Sequence, residues 1–186
     1  MLKFFEGKID GKEIEDGSVI LIKVSSIRLV EINTQLLQWY ISEKKCGAVY
    51  VTVNKPFSSL VDGFKRAKID TSKIFIIDAV TPRKHASNIR VENAVFIGSP
   101  RELTNISIST TSTFEKFKVA KILIFDSLGA LLDYNKLETV KEFIHFISNK
   151  MRNLKITLAI ICVKGMVDEK ILGQLNAYVD YVIDIK

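Results

Sequence analysis

Short apolar runs of strand length alternate with segments of helical period along almost the whole chain, and that alternation restricts the fold more than any other feature. Residues 18–24, 48–53, 73–78, 94–97, 119–126, 155–163 and 178–183 are rich in Ile, Leu and Val. Strands of near-continuous apolar composition are buried on both faces, which is the habit of parallel sheets. Between them the spacing becomes helical. Leu29, Ile32, Leu36, Leu37, Tyr40 and Ile41 share one face, followed by Lys44, Lys45 and Gly47. Leu60, Phe64 and Ala67 mark a second helix after Pro56. A weaker helix, diluted by Ser and Thr, is predicted from Pro100 to about Phe117. Another runs from about Tyr134 to Met151, and a last one covers 167–177. Strand–helix–strand units in series imply right-handed crossovers. The expected fold is therefore a three-layer α/β domain, a mostly parallel sheet with helices on both faces.

At 186 residues the chain fits one domain, 1–186, with residues 1–16 as a lead-in or short hairpin punctuated by Gly7, Gly11 and Gly17. A hydrophobic share of 47% is enough to build a core and argues against disorder. The apolar runs are too short to span a bilayer, and the opening Met-Leu-Lys-Phe-Phe does not have the pattern of a signal peptide. No membrane role is expected. Cys46 and Cys162 lack metal-ligand spacing, with only His85 and His145 to join them. Both read as buried reduced thiols of a cytoplasmic protein. The net charge of +6 is spread over many segments. It permits an acidic partner or nucleic acid, but reads first as a lysine-coated surface.

Lys121-Ile-Leu-Ile-Phe-Asp126-Ser127-Leu128-Gly-Ala130-Leu131 resembles a Walker B strand: an apolar strand ends in Asp, and then come Ser-Leu and small residues. That version is typical of RecA-like ATPases of the KaiC and Rad55 kind, including archaeal members. Residues 16–22 are similar to the turn and strand that lead into that family's phosphate loop. Residues 47–53 with Pro56, Leu60 and Phe64, the strand ending in Asp78, and residues 100–107 also fit its order. The resemblance spans roughly residues 14–184 and implies a RecA-like sheet. It also implies ATP with magnesium as the ancestral cofactor, and rings of subunits as the ancestral assembly.

The departures fall where the chemistry would be. A phosphate loop, G-x-x-x-x-G-K-[ST], uses glycines to curl backbone N–H groups around phosphate, a Lys on the outer phosphates and a hydroxyl on magnesium. The matching junction reads Lys23-Val-Ser25-Ser26-Ile27-Arg28-Leu29-Val30, with no glycine and no Lys-Ser or Lys-Thr pair. After the second strand, where the family carries acidic residues that activate water, this chain has Asn54-Lys55. Neither side chain takes a proton from water at neutral pH. The resemblance therefore implies a degenerate Walker A, no catalytic residues and no cofactor. Asp126 and Ser127 remain from Walker B, and Ser25, Ser26 and Arg28 stand at the phosphate-loop position.

Three functions are consistent with this pattern. The first is a silent RecA-like module that contacts a protein partner or its own copies. The second is a protein that still holds ATP with magnesium, through Asp126 and Arg28 at the helix start, without fast turnover. The third is a recombination accessory of the Rad55 kind that binds nucleic acid through Lys65, Arg66, Lys68, Arg83 and Lys84. Asp78 and Asp126 both end strands and read as turn caps before metal ligands. His145 reads as a helix-surface residue, and Arg83-Lys84-His85 as part of a solvated polar loop over 79–93.

Overall fold

The computed structural model describes residues 8–9, 12–86 and 91–185. The described residues form nine strands and seven α-helices, which alternate along most of the chain. A two-stranded antiparallel hairpin, β1 (Lys8–Ile9) and β2 (Lys12–Glu13), precedes the domain. Then come β3 (Val19–Val24), α1 (Leu29–Gln38), β4 (Gly47–Thr52), α2 (Phe57–Arg66), β5 (Ile74–Asp78), α3 (Arg83–Ala86) and β6 (Ala94–Phe96). The rest is α4 (Leu103–Lys116), β7 (Ala120–Asp126), α5 (Leu128–Tyr134), α6 (Leu137–Leu154), β8 (Thr157–Val163), α7 (Glu169–Leu175) and β9 (Tyr181–Asp184). β3 to β9 form one seven-stranded sheet in the order β6-β5-β4-β7-β8-β3-β9. Every pairing in it is parallel. The expected three-layer α/β architecture is present.

The period-2 alternation of the inner strands supplies two cores. Leu21, Val49, Val51, Leu123, Phe125, Leu158 and Ile160 face α4, α5, α6 and α7. Ile20, Ile22, Ala48, Tyr50, Ile122, Ile124, Ala159 and Ile161 face α1 and α2. Gly47 opens β4 where a Cβ would lie 2.9 Å from a Val119 methyl and 3.0 Å from the Lys73 carbonyl. Any side chain there would push β4 away from its neighbours.

Several elements differ from the sequence reading. The first helix ends before Gly47 as expected, but its last turn, Trp39–Glu43, is π-helical, and Lys45 takes the left-handed conformation at φ 57°. The helix expected from about Tyr134 to Met151 is α6, and an additional helix, α5, starts directly after β7 and ends at Tyr134. Leu128, Gly129, Ala130 and Leu131 of α5 are all buried, so that segment shows no amphipathic stripe. α6 ends at Leu154 and Lys155 caps it at φ 55°, so β8 begins at Thr157 rather than Lys155. The polar loop over 79–93 contains α3. Cys46 is half-buried rather than buried, while Cys162 lies in the core. Among the described residues no helix is long and apolar enough to cross a membrane.

Candidate functional site

The chain leaves β4 for β5 in one direction and leaves β7 for β8 in the other. Connections therefore part between β4 and β7, and the crevice at their carboxyl ends is where an open α/β sheet binds ligands. α2 covers that crevice from one face, and α1 crosses beside it on the same face.

Ser25 is a single extended residue between β3 and a 3-10 turn, Ser26–Arg28, which runs straight into α1. The Arg28 N–H donates to the Ser25 carbonyl at 3.0 Å. No residue of this junction has positive φ. Ser25 makes no side-chain capping bond. The Arg28 guanidinium lies 3.2 Å from the Glu31 carboxylate. Ile27 is 92% exposed and Val30 is 56% exposed. Two β-branched side chains thus stand exposed at the mouth of the turn.

Asp126 ends β7 pointing to the α1 face. Its Oδ2 accepts from the Tyr50 hydroxyl at 2.5 Å and from Asn33 Nδ2 at 3.1 Å, and Asn33 Nδ2 also reaches the Tyr50 oxygen at 2.9 Å. All three residues are buried. Burial raises the Asp126 carboxyl above its ordinary value, opposed by the Tyr50 bond, the Lys55 charge and the Asn33 bond. Burial, reinforced by the Asp126 charge, raises the Tyr50 phenol well above its usual value, so the phenol keeps its proton and donates. The Oδ1 atoms of Asp126 and Asn33 and the Ser127 hydroxyl are buried without a hydrogen-bond partner. The Asp126–Ser127 peptide is cis.

Beside this triad lies a cavity of about 130 Å³ between α1 and α2. Asn33, Tyr50 and Asp126 line its buried side, Leu60 and Phe64 its walls, and Lys55 and Arg66 its solvent side. Lys55 thus meets Asp126 across a cavity, which its place after β4 permits. Its carbonyl accepts from Thr52 Oγ1 at 2.7 Å, which fixes the turn, while Asn54 points outward.

The other candidate residues lie apart from this cluster. Asp78 caps the following turn: it accepts from the N–H groups of Phe57, Val80 and Thr81 and from the Thr81 hydroxyl, all within 2.8 Å. Among the described residues no group of three or more His, Cys, Asp or Glu could hold a metal ion. Arg83 pairs with Glu102, and Lys84 is exposed beside it on α3. His145 is exposed and stacks on Tyr178 with centroids 5.0 Å apart. Asn33 and Tyr50 escaped the sequence reading, although both left a trace. Asn33 is the polar member of an i, i+4 series with Leu29 and Leu37, and Tyr50 brings a hydroxyl into an otherwise apolar strand.

No curated protein matches this chain significantly in sequence. Among solved structures, a KaiC-like protein from the hyperthermophilic archaeon Pyrococcus horikoshii OT3 superposes with a TM-score of 0.68 at 14% identity, over 98% of this chain and 78% of that one. That likeness supports the RecA-like fold and, at such identity, the fold alone. The profile of a family described as a family of unknown function, DUF7504, matches residues 35–185, which take in Tyr50, Lys55 and Asp126, and the chain belongs to that family.

Proposed function

We propose that this chain is a RecA-like domain that works by contact with a protein partner or with its own copies, without ATP turnover and without a bound cofactor. The β3–α1 junction is the observation that carries the reading. Wrapping a triphosphate takes several successive amides in a concave loop, which positive-φ residues allow. Here one extended residue leads into a helical turn in which the Arg28 N–H is committed to the Ser25 carbonyl. α1 opens with Leu29-Val30, not with a Lys-Ser or Lys-Thr pair that would meet outer phosphates and magnesium. Asp126 has also turned inward: one of its oxygens is held by Tyr50 and Asn33, away from any magnesium at the crest. Phosphoryl transfer depends on positioning and charge stabilisation, so losing these parts together removes its basis. Exposed apolar side chains supply contact surface instead. Ile27 and Val30 lie at the crest, and Ile108 and Phe146 lie between α4 and α6.

Three measurements test the reading. ATP hydrolysis by purified protein is expected at the level of the buffer blank. The melting temperature is expected to be unchanged by millimolar Mg-ATP. Sedimentation is expected to give either a mass above the 21.0 kDa of one chain or a monomer that captures a protein partner. Turnover that disappears in Asp126→Ala, or a nucleotide-dependent rise in melting temperature, overturns it.

A further inference from the structure

We infer that the α4–α6 face binds a second copy of this chain, with α6 of each copy lying antiparallel in the groove between α4 and α6 of the other. Ile108 on α4 and Phe146 on α6 face each other across that groove, 61% and 54% exposed. Hollows of about 350 Å³ and about 370 Å³ lie before and after them along the helices, and both residues line both hollows. A cavity of about 150 Å³ holds benzene, so each hollow has room for an apolar side chain from outside. The α4 wall is built largely of Ser and Thr, Ser107 and Thr111 among them, which are small enough for another helix to approach closely.

Charge selects the occupant. Glu142 lines the first hollow and Lys150 the second, one helical turn before and one turn after Phe146. Among the described residues neither of them joins an ion pair, and nor does Glu115 beside Lys150. A two-fold axis beside Phe146 runs the two α6 helices antiparallel and sets Glu142 of each copy against Lys150 of the other. The Phe146 rings then lie between two attractive pairs, with Ile108 of each copy over the other's ring. A parallel alignment would oppose Glu142 to Glu142 and Lys150 to Lys150. The face is thus complementary to itself under a two-fold rotation, which is what a closed dimer requires. The 18 residues of α6 span about 27 Å. With α4 beside it, the face offers roughly 500 Å² per copy, the lower end for a specific interface, so a reversible dimer is expected. The dimer rests on the proposed function, because it names which of the two contacts, partner or own copy, this face makes. The two fail separately, the first by the wild-type mass and the second by ATP hydrolysis.

The test is analytical ultracentrifugation of the full chain from about 1 to 100 µM. The wild-type mass is expected to rise with concentration towards twice the 21.0 kDa of one chain. Phe146→Asp is expected to stay monomeric with an unchanged far-ultraviolet circular dichroism spectrum, since the side chain it replaces is exposed. Glu142→Lys and Lys150→Glu are each expected to weaken the dimer at least about tenfold, because each sets like charges against one another at both pairs. Mixed in equal amounts, these two variants regain opposite charges at both pairs. The mixture is therefore expected to dimerise at least about tenfold more tightly than either variant alone, a recovery that requires both to be folded. A wild-type mass that stays at one chain throughout the range, a dimer that persists in Phe146→Asp, or a mixture that associates no better than its components overturns the assignment.

Discussion

Asp126 combines two roles that a solvent-exposed strand-end carboxylate would keep separate, since it terminates β7 and anchors a buried polar triad. Removing the phenol by Tyr50→Phe leaves Oδ2 with only the Asn33 amide, and the cost expected in a urea melt is about 1–3 kcal/mol. The same carboxyl makes stability depend on pH. Burial holds it above its ordinary value of 3.8 in the fold. Below 3.8 it is neutral in both folded and unfolded chains. As pH rises from there to the folded value, the unfolded chain loses the proton while the folded chain keeps it. Stability therefore falls through that window, and the loss persists above it. Asp126→Asn cannot ionise. The expected outcome is that melts from pH 4 to 7 show wild-type stability declining relative to this variant; parallel curves would refute the assignment. Of this triad only Asp126 was legible in the sequence, through its Walker B pattern. Asn33 and Tyr50 become partners because the β4–β7 register sets Tyr50 beside Ile124, two residues short of Asp126. Strand order and register come from tertiary packing, which local spacing does not encode.

At the scale of elements, two glycines in helices show how the surroundings decide the value of the same substitution. Gly63 lies inside α2, and an added Cβ meets nothing within 4 Å. Gly63→Ala is expected to stabilise by about 0.5–1 kcal/mol by restricting the unfolded chain and favouring the helix. Gly129 lies in the first turn of α5, where a Cβ would approach the Met166 Cβ to 3.1 Å. Gly129→Ala is expected to gain less or to destabilise, because the β8–α7 connection must give way; equal gains in paired thermal melts would contradict this. Elements with a wet and a dry side were legible in advance. α1, α2 and α6 alternate buried and exposed faces, and β3, β4, β7 and β8 are mostly apolar runs. α5 was not legible, because burial of four successive residues, Leu128 to Leu131, erases the helical period. α3 was hidden for the opposite reason, since Arg83-Lys84-His85-Ala86 buries nothing and reads as loop.

For the molecule as a whole, two cores back onto one sheet, and whether they melt separately depends on the strands between them. β3, β4, β7 and β8 send successive side chains alternately to the two faces, as Leu21 and Ile22, Val49 and Tyr50, Leu123 and Ile124, and Ile160 and Ile161 do. Neither core can loosen without displacing strands that belong to the other. The two faces should therefore unfold as one cooperative unit, as single domains of this size commonly do. The sequence contains one tryptophan, Trp39, which packs on the α1 face and so reports on that core alone. Ile147, 1% exposed on α6, belongs to the opposite core. Ile147→Val removes one buried methyl group and is expected to cost about 1 kcal/mol, a fall of about 2–4 °C in melting temperature. If the cores are coupled, Trp39 fluorescence must register that change in full, although the substitution lies across the sheet. Its midpoint should move together with the far-ultraviolet circular dichroism of the whole chain. A fluorescence midpoint left where it stood in the wild type, with only the dichroism shifted, would mean that the α1 face unfolds on its own and that the alternating strands do not tie the layers together.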